Sequence, residues 1–256
     1  MQIKIGFAAA AGLALLVFVF LPMYPVAAAA QTEPSPASAD EADDYEDEYE
    51  DDAKKVTVAD PIEPFNQEMY QFNDFLLLYV LEPAAKVEKA VIPWEFRTIF
   101  RNMLRNIRFP VRFVSCLLQG KWEKGGDEFA SFFLNTTVGF LGMADVSANY
   151  PGLHHSPEDM GQTFAVWGWE ESSYLTLPFF GPSTVRDALG KLPDAVIDPM
   201  FWYSNLTLSL SVRGGEAVND TSFRIGDYEA IKKASLDPYV AIRNGYVQNR
   251  NKLISE

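Results

Sequence analysis

The sequence predicts an all-α fold, a single domain of many short to medium helices over residues 57–256. Three observations carry this prediction. Apolar residues recur at three- and four-residue spacing along most of that span. Asp-Pro pairs, which set a capping carboxylate beside a helix-compatible proline, precede several of the periodic stretches. Proline or glycine then closes them, with no internal repeat and no second linker after Val56.

Ahead of the domain, Met1–Gly6 carries one positive charge at Lys4 and Phe7–Leu21 is an apolar run. Pro22 and Pro25 break that run before the small residues Ala27–Ala30. This order is the pattern of an export signal over residues 1–30, with cleavage after Ala28 or Ala30. Fifteen helical residues span about 22 Å against roughly 30 Å of hydrocarbon. No charge falls between Ile5 and Thr32, so a longer, tilted span kept as an anchor is the alternative. Residues 31–56 follow as a tether. Between Gln31 and Ala53 there are eleven acids and no base, and like charges with no apolar face keep such a stretch disordered. It reads as a solubilising leader, or as a docking strip for a basic partner.

The helices begin at Asp60-Pro61-Ile62-Glu63, with Asp60 as cap and Pro61 at the first helical position. Ile62, Phe65, Met69, Phe72 and Leu76 then fall within an arc of about 80° at 100° per residue. From Phe75 to Leu81 the polar side vanishes, so this run is either fully packed or faces something apolar. Pro93 opens the next helix, where Arg97, Arg101, Arg105 and Arg108 share an arc of about 80° beside Phe96, Phe100 and Leu104. Arginines next to an apolar stripe suit a membrane interface with anionic headgroups, or a core helix whose solvent face is basic. A further helix runs from Pro110 through Leu118 and stops at Gly120. Gly125-Gly126-Asp127 reads as the cap of one carrying Phe129, Phe132, Phe133 and Leu134. Asn135–Ser147 is apolar and rich in small residues, a composition for close backbone approach or lipid contact. Gly181-Pro182-Ser183-Thr184-Val185-Arg186-Asp187 reads as a turn into a short helix ended by Gly190, with Thr184 and Asp187 at capping-box spacing. Asp198-Pro199 and Asp237-Pro238 start two more, the last helix running Tyr239–Ile254. One stretch argues otherwise: Leu206, Leu208, Leu210 and Val212 alternate with Thr and Ser, the period of a strand.

Composition closes off several kinds of function. Lys54–Glu256 holds 24 acids and 20 bases, so the acidity belongs to the leader and the chain lacks the basic footprint of a nucleic-acid binder. The single cysteine, Cys116, excludes an intramolecular disulfide and a multi-cysteine metal site. Two adjacent histidines, His154 and His155, leave little for histidine catalysis or zinc. No cofactor is expected.

Six blocks occur in order: Asp60-Pro-Ile-Glu-Pro-Phe-Asn66, Phe72-Asn73, Leu118-Gln-Gly-Lys121, Phe133-Leu-Asn-Thr-Thr137, Gly181-Pro-Ser-Thr-Val-Arg-Asp187 and Asp237-Pro-Tyr239. Together with Gly161-Gln-Thr163 and Trp167-Gly168 they resemble the signature of the MlaA (VacJ) family, from about Asp60 to Leu253. The resemblance implies a ring of helices around an amphipathic channel, seated in the outer membrane of diderm bacteria on its periplasmic side. It implies that mislocalised phospholipid is taken from the outer leaflet and passed to a periplasmic carrier of the MlaC type, and that the protein associates with a trimeric porin. It also implies helix for Leu206–Val212, against the local alternation. In one respect the chain departs from the pattern: no cysteine follows the apolar run, so the acylated anchor of family members has no acceptor here.

A lipid leaving a leaflet needs an apolar side for its chains and polar groups for its headgroup. Phe65, Asn66, Phe72, Asn73, Phe133, Asn135 and Thr136 are the candidates for such a path, each with core packing as the plainer alternative. Arg186 and Asp187 form a motif pair, or an ion pair holding the turn. Ser183 with a histidine and Asp187 would make a serine hydrolase, but the second glycine of a nucleophile elbow is missing. An envelope protein that only braces the porin is the remaining alternative.

Overall fold

The computed structural model describes residues 58–256 apart from 154, 171 and 204; the segments read as an export signal and an acidic tether lie outside the described residues. Helix α1 (Glu63–Leu76) has Ile62 at its N-cap and Pro64 in its first turn. Asp60 does not cap it, because its carboxylate is taken by Asn66, Tyr239 and Arg243. A π-helical turn, Leu77–Leu81, carries α1 into α2 (Glu82–Val91). The apolar run at this junction is thereby split, with Leu76 and Leu81 buried and Phe75 and Tyr79 exposed.

Pro93 is the N-cap of α3 (Trp94–Ile107), and Pro110 lies in the first turn of α4 (Phe109–Leu118). Helix α5 (Trp122–Thr137) starts before Gly125-Gly126 and runs through them, which corrects their reading as a cap. The reason is packing: a Cβ on Gly125 would lie 3.3 Å from Leu117 and 3.5 Å from Cys116 of α4. After a 3₁₀ turn at Ser147–Asn149 comes α6 (Met160–Val166), capped by Asp159 through the Gln162 amide.

Two short strands follow, β1 (Tyr174–Leu177) and β2 (Gly181–Thr184), paired antiparallel with Tyr174 opposite Thr184 and Leu177 opposite Gly181. Residues 181–184 are therefore strand, not a turn entering a helix; Gly181 at φ 73° lets the chain reverse there. Thr184 caps α7 (Val185–Ile197) by accepting the Asp187 amide, as its spacing predicts. Helix α7 continues past Gly190, where the sequence predicts an end. That glycine sits on Gly161 of α6, and a Cβ there would lie 2.5 Å from the Gly161 nitrogen.

Helices α8 (Pro199–Tyr203), α9 (Leu206–Ser222), α10 (Asp227–Ala234) and α11 (Pro238–Ser255) complete the chain, with Asp237 capping α11. Leu206–Val212 is thus helical: Asn205 caps the segment, and the rest of α9 buries Ala217 and Val218 against Leu81 and Ala85. Contacts between elements close into a circuit: α1 meets the hairpin, the hairpin meets α7, and α7 meets α6. From there the circuit passes through α4, α3, α9 and α2 back to α1. The fold is all-α apart from the one hairpin.

Candidate functional site

Among the described residues, buried polar side chains outnumber buried apolar ones, while many large apolar side chains are exposed. That is the reverse of a water-soluble core, in which burial of apolar area drives folding. Desolvated polar groups favour partners, and the asparagines, arginines and carboxylates described below find them, whereas Ser115 Oγ and Ser131 Oγ are buried without one.

Asn66 is fully buried on α1. Its Nδ2 donates to Asp60 at 2.6 Å and to the Tyr174 carbonyl at 3.2 Å, while its Oδ1 accepts the Thr176 amide at 2.8 Å. Asn73 repeats the device, donating to the Leu177 carbonyl at 2.9 Å and accepting the Phe179 amide at 2.8 Å. Seven helical residues rise about 10.5 Å and three strand residues about 10 Å, so the two carboxamides match the spacing of the strand. Phe65 and Phe72 point outward, 46% and 37% exposed, with Phe72 edge-on to Phe179. Asp60 also accepts from Tyr239 and from Arg243 at 3.1 Å, which ties the segment before α1 to α11. Pro61, just outside the helix, is exposed.

A second polar cluster lies on α5. Asn135 Nδ2 donates to Asp145 at 3.0 Å and to Ser147 at 3.2 Å, and its Oδ1 accepts the Ser147 amide at 3.0 Å. Thr136 accepts from Asn106 at 3.0 Å. Phe133 is exposed on the opposite side. Glu128, fully buried, accepts from Arg112 at 3.0 Å and from the Ser156 amide, with His155 Nδ1 at 3.6 Å. Burial alone would raise its carboxyl, but the nearby His155 ring, the Arg112 guanidinium and the Ser156 amide together hold it below the usual range.

The arginines of α3 face inward partners. Arg97 is buried and donates to Ser222 Oγ at 2.7 Å. Arg108 forms a fork on Glu216 and lies 3.7 Å from Asp198. Arg105 pairs with Asp145. Arg101, the exposed one of the four, stacks 4.1 Å above the Phe223 ring, which Arg97 also approaches. This corrects the reading of the stripe as a membrane interface: three of the four side chains tie α3 to α9 and to the loop after α5.

Arg186 and Asp187 hold the hairpin end. Arg186 Nη1 donates to the carbonyls of Trp169 at 3.1 Å and Glu170 at 2.8 Å. Asp187 accepts from Arg250 Nε and Nη2, both at 3.0 Å, and from Tyr246 at 2.8 Å. Burial opposes its ionisation, yet the Arg250 guanidinium dominates and holds the carboxyl at about 2. Gly181 and Pro182 are half-buried in β2. Ser183 is fully buried and its Oγ donates to the Thr184 carbonyl at 3.3 Å, while His155 sits between Glu128 and Asp145. That position does not serve the nucleophile reading; His154 lies outside the described residues.

The seven lipid-path candidates are therefore not gathered in one cleft. The phenylalanines face outward, and the asparagines and Thr136 are bound to internal partners. Sequence reasoning missed Glu128, Glu158, Arg112 and Arg250, single charges whose partners are remote in sequence. The one available signal was Glu128 directly beside Phe129, with Phe132 and Phe133 one turn on.

A circuit of helices that buries polar networks and turns many of its aromatic side chains outward defines the class: an all-α protein with an apolar-rich exterior. The chain belongs to the MlaA family, whose profile, described as MlaA lipoprotein, matches residues 58–253. It is 32% identical to the "Intermembrane phospholipid transport system lipoprotein MlaA" of Shigella flexneri over 197 residues, covering 75% of this chain and 77% of that one. The protein of the same name from Escherichia coli (strain K12) shows the same 32% identity and the same coverage. The namesake from Haemophilus influenzae is 30% identical over 202 residues, 77% of this chain and 80% of that one. A solved chain from "Structural basis for maintenance of bacterial outer membrane lipid asymmetry" superposes with a TM-score of 0.68. It is 30% identical and covers 77% of this chain and 99% of that chain.

Proposed function

We propose that this protein moves phospholipid without chemical change, taking molecules mislocalised in the outer leaflet of the outer membrane and passing them toward the periplasm. One observation carries the reading within its family: many large aromatic and aliphatic side chains are exposed while most of the buried side chains are polar. Phe65, Phe72 and Phe133 stand on the outer side, where acyl chains or inner-leaflet hydrocarbon would meet them. Asn66, Asn73, Asn135 and Thr136 hold the segments that carry them. The only cysteine, Cys116, is buried in α4 and burial pushes its thiol up to about 12, so attachment to the envelope would rest on exposed apolar side chains, on the porin or on an uncleaved export segment. The receiving partner is a soluble periplasmic lipid carrier of the MlaC type, and a trimeric porin is the neighbour in the membrane.

The test is genetic and chemical. Deleting the gene should raise outer-leaflet phospholipid, read by its accessibility to an added phospholipase, and the full chain restored in trans should reverse the change. Unchanged accessibility overturns the reading. Loss of porin trimers without a change in lipid asymmetry would assign a bracing role in its place.

A further inference from the structure

Three sequence blocks that helix geometry leaves unexplained, Leu118–Lys121, Gly161–Thr163 and Trp167–Gly168, meet at one place. Trp167 Nε1 donates to the Leu118 carbonyl at 3.0 Å. Gln119 Nε2, one residue on, donates to Glu158 Oε2 at 2.9 Å and to Thr163 Oγ1 at 3.4 Å. Lys121 and Lys124 both approach Glu158 Oε1, at 2.9 and 3.1 Å. Beside this knot lies an open cleft of about 250 Å³ walled by Phe164, Trp167 and Trp169. Its walls are held: the Phe164 and Trp167 rings meet at 6.1 Å, and Arg186 grips the Trp169 carbonyl.

We propose that this is a docking site for one glycerophospholipid, with its phosphate on Lys121 and Lys124 and its glycerol and first chain carbons in the aromatic cleft. The inference rests on the transport reading above and names the place where the headgroup is held. Two ammonium groups share one carboxylate, which leaves a net charge of about +1, and each ammonium has three N–H donors of which the carboxylate uses one. The Glu158 side chain is 2% exposed, whereas the two lysine side chains are 16% and 30% exposed, so the spare donors reach solvent and the carboxylate does not. Phosphate is the anion that such paired donors take. The tryptophan rings, 59% and 40% exposed, offer the half-apolar, half-wet wall that the glycerol region of a lipid matches. Leu118 accepts from Trp167 and Lys121 pairs with Glu158, so one short segment links the cleft to the charged group.

The experiment counts lipids on the full chain in a non-ionic detergent by native mass spectrometry, with dioleoyl phosphatidylglycerol, dioleoylglycerol and inorganic phosphate as separate probes. The triple variant Lys121→Gln, Lys124→Gln, Glu158→Gln removes all three charges together and leaves no buried carboxylate unpaired. It should raise the apparent Kd for the phospholipid at least tenfold, to the value dioleoylglycerol shows with the unaltered protein. Trp169→Ala should weaken the phospholipid and dioleoylglycerol alike and leave phosphate unchanged. Should the triple variant fail to fold by circular dichroism, Lys124→Gln alone, which keeps Lys121 on Glu158, should weaken the phospholipid about threefold. Unchanged phospholipid binding in a folded variant overturns the proposal. So does dioleoylglycerol binding as tightly as the phospholipid, or inorganic phosphate binding as tightly as the lipid, which would make this a free-phosphate site. Cells separate the two readings: if the unaltered chain restores lipid asymmetry and the variants do so equally well, the docking site fails and transport stands. If the unaltered chain does not restore it, transport itself fails.

Discussion

Asn66 and Asn73 are carboxamides inside a helix, positions where a short polar side chain is normally a weak helix former. Their value is in the hydrogen bonds each makes to the backbone of the hairpin. Asn66→Ala strips those from the fully buried one and leaves the Tyr174 carbonyl and Thr176 amide unpaired. It should destabilise the protein by about 2–4 kcal/mol, read in urea unfolding. Two carboxylates set the pH dependence in opposite senses. Asp187 is held at about 2 by Arg250 against burial, below the roughly 3.9 of an unfolded chain. Its contribution, about 2 kcal/mol, is present above pH 4 and lost as the pH falls through 2. Asp194 is pushed the other way, to about 7, by burial and by the nearby Asp159. A raised acid binds its proton more tightly in the folded state, so its contribution fades as the pH climbs from about 4 to 7. Asp194→Asn keeps an acceptor for the Met160 amide. It should therefore stabilise the protein by about 1–2 kcal/mol at pH 8 and leave pH 4 unchanged, measured by thermal melts at both.

Helix starts follow local chemistry: Thr184, Asp159, Asn205 and Asp237 each accept an amide three residues on. Helix interiors follow packing, and glycine shows the difference. Gly190 in α7 faces the Gly161 backbone at a distance no Cβ tolerates, whereas Gly126 in α5 has open space around it. Gly190→Ala should then cost at least about 2 kcal/mol by forcing α6 and α7 apart. Gly126→Ala should add about 0.5–1 kcal/mol from helix propensity alone. Paired thermal melts decide it, and equal effects at the two sites would contradict the α6–α7 contact.

At the scale of the molecule, many large apolar side chains are exposed, and no helix among the described residues is long and apolar enough to cross a bilayer. The loop after α5 presents Phe140 and Leu141, 75% and 63% exposed, both at positive φ. Asparagine accepts that backbone more readily than either residue. Phe140→Asn with Leu141→Asn should leave unfolding unchanged or slightly improved, while vesicle flotation of the full chain falls at least tenfold. Each apolar side chain transferred contributes about 1.5–3 kcal/mol. Flotation unaffected by the pair would place lipid contact elsewhere.

Caps, periodicity and short blocks are local signals, and they carry the all-α class, the family and the helix starts at Pro93, Thr184 and Asp237, though not those of α1 and α5. Even there, family likeness outweighed local period at Leu206–Val212, where Asn205 caps a helix whose later turns pack on Leu81 and Ala85. The tertiary structure alone decided what the polar residues do. The arginine stripe of α3 has one sequence pattern but two uses, headgroup contact or internal pairing, and only Glu216, Asp145 and Ser222, brought in from elsewhere in the chain, select the second. The hairpin escaped sequence reading for the same reason. Its short strands hold little periodicity of their own, and they are kept extended by Asn66 and Asn73, which lie more than a hundred residues earlier. A partner at that distance leaves no mark on local pattern; it becomes visible when the circuit of helices closes.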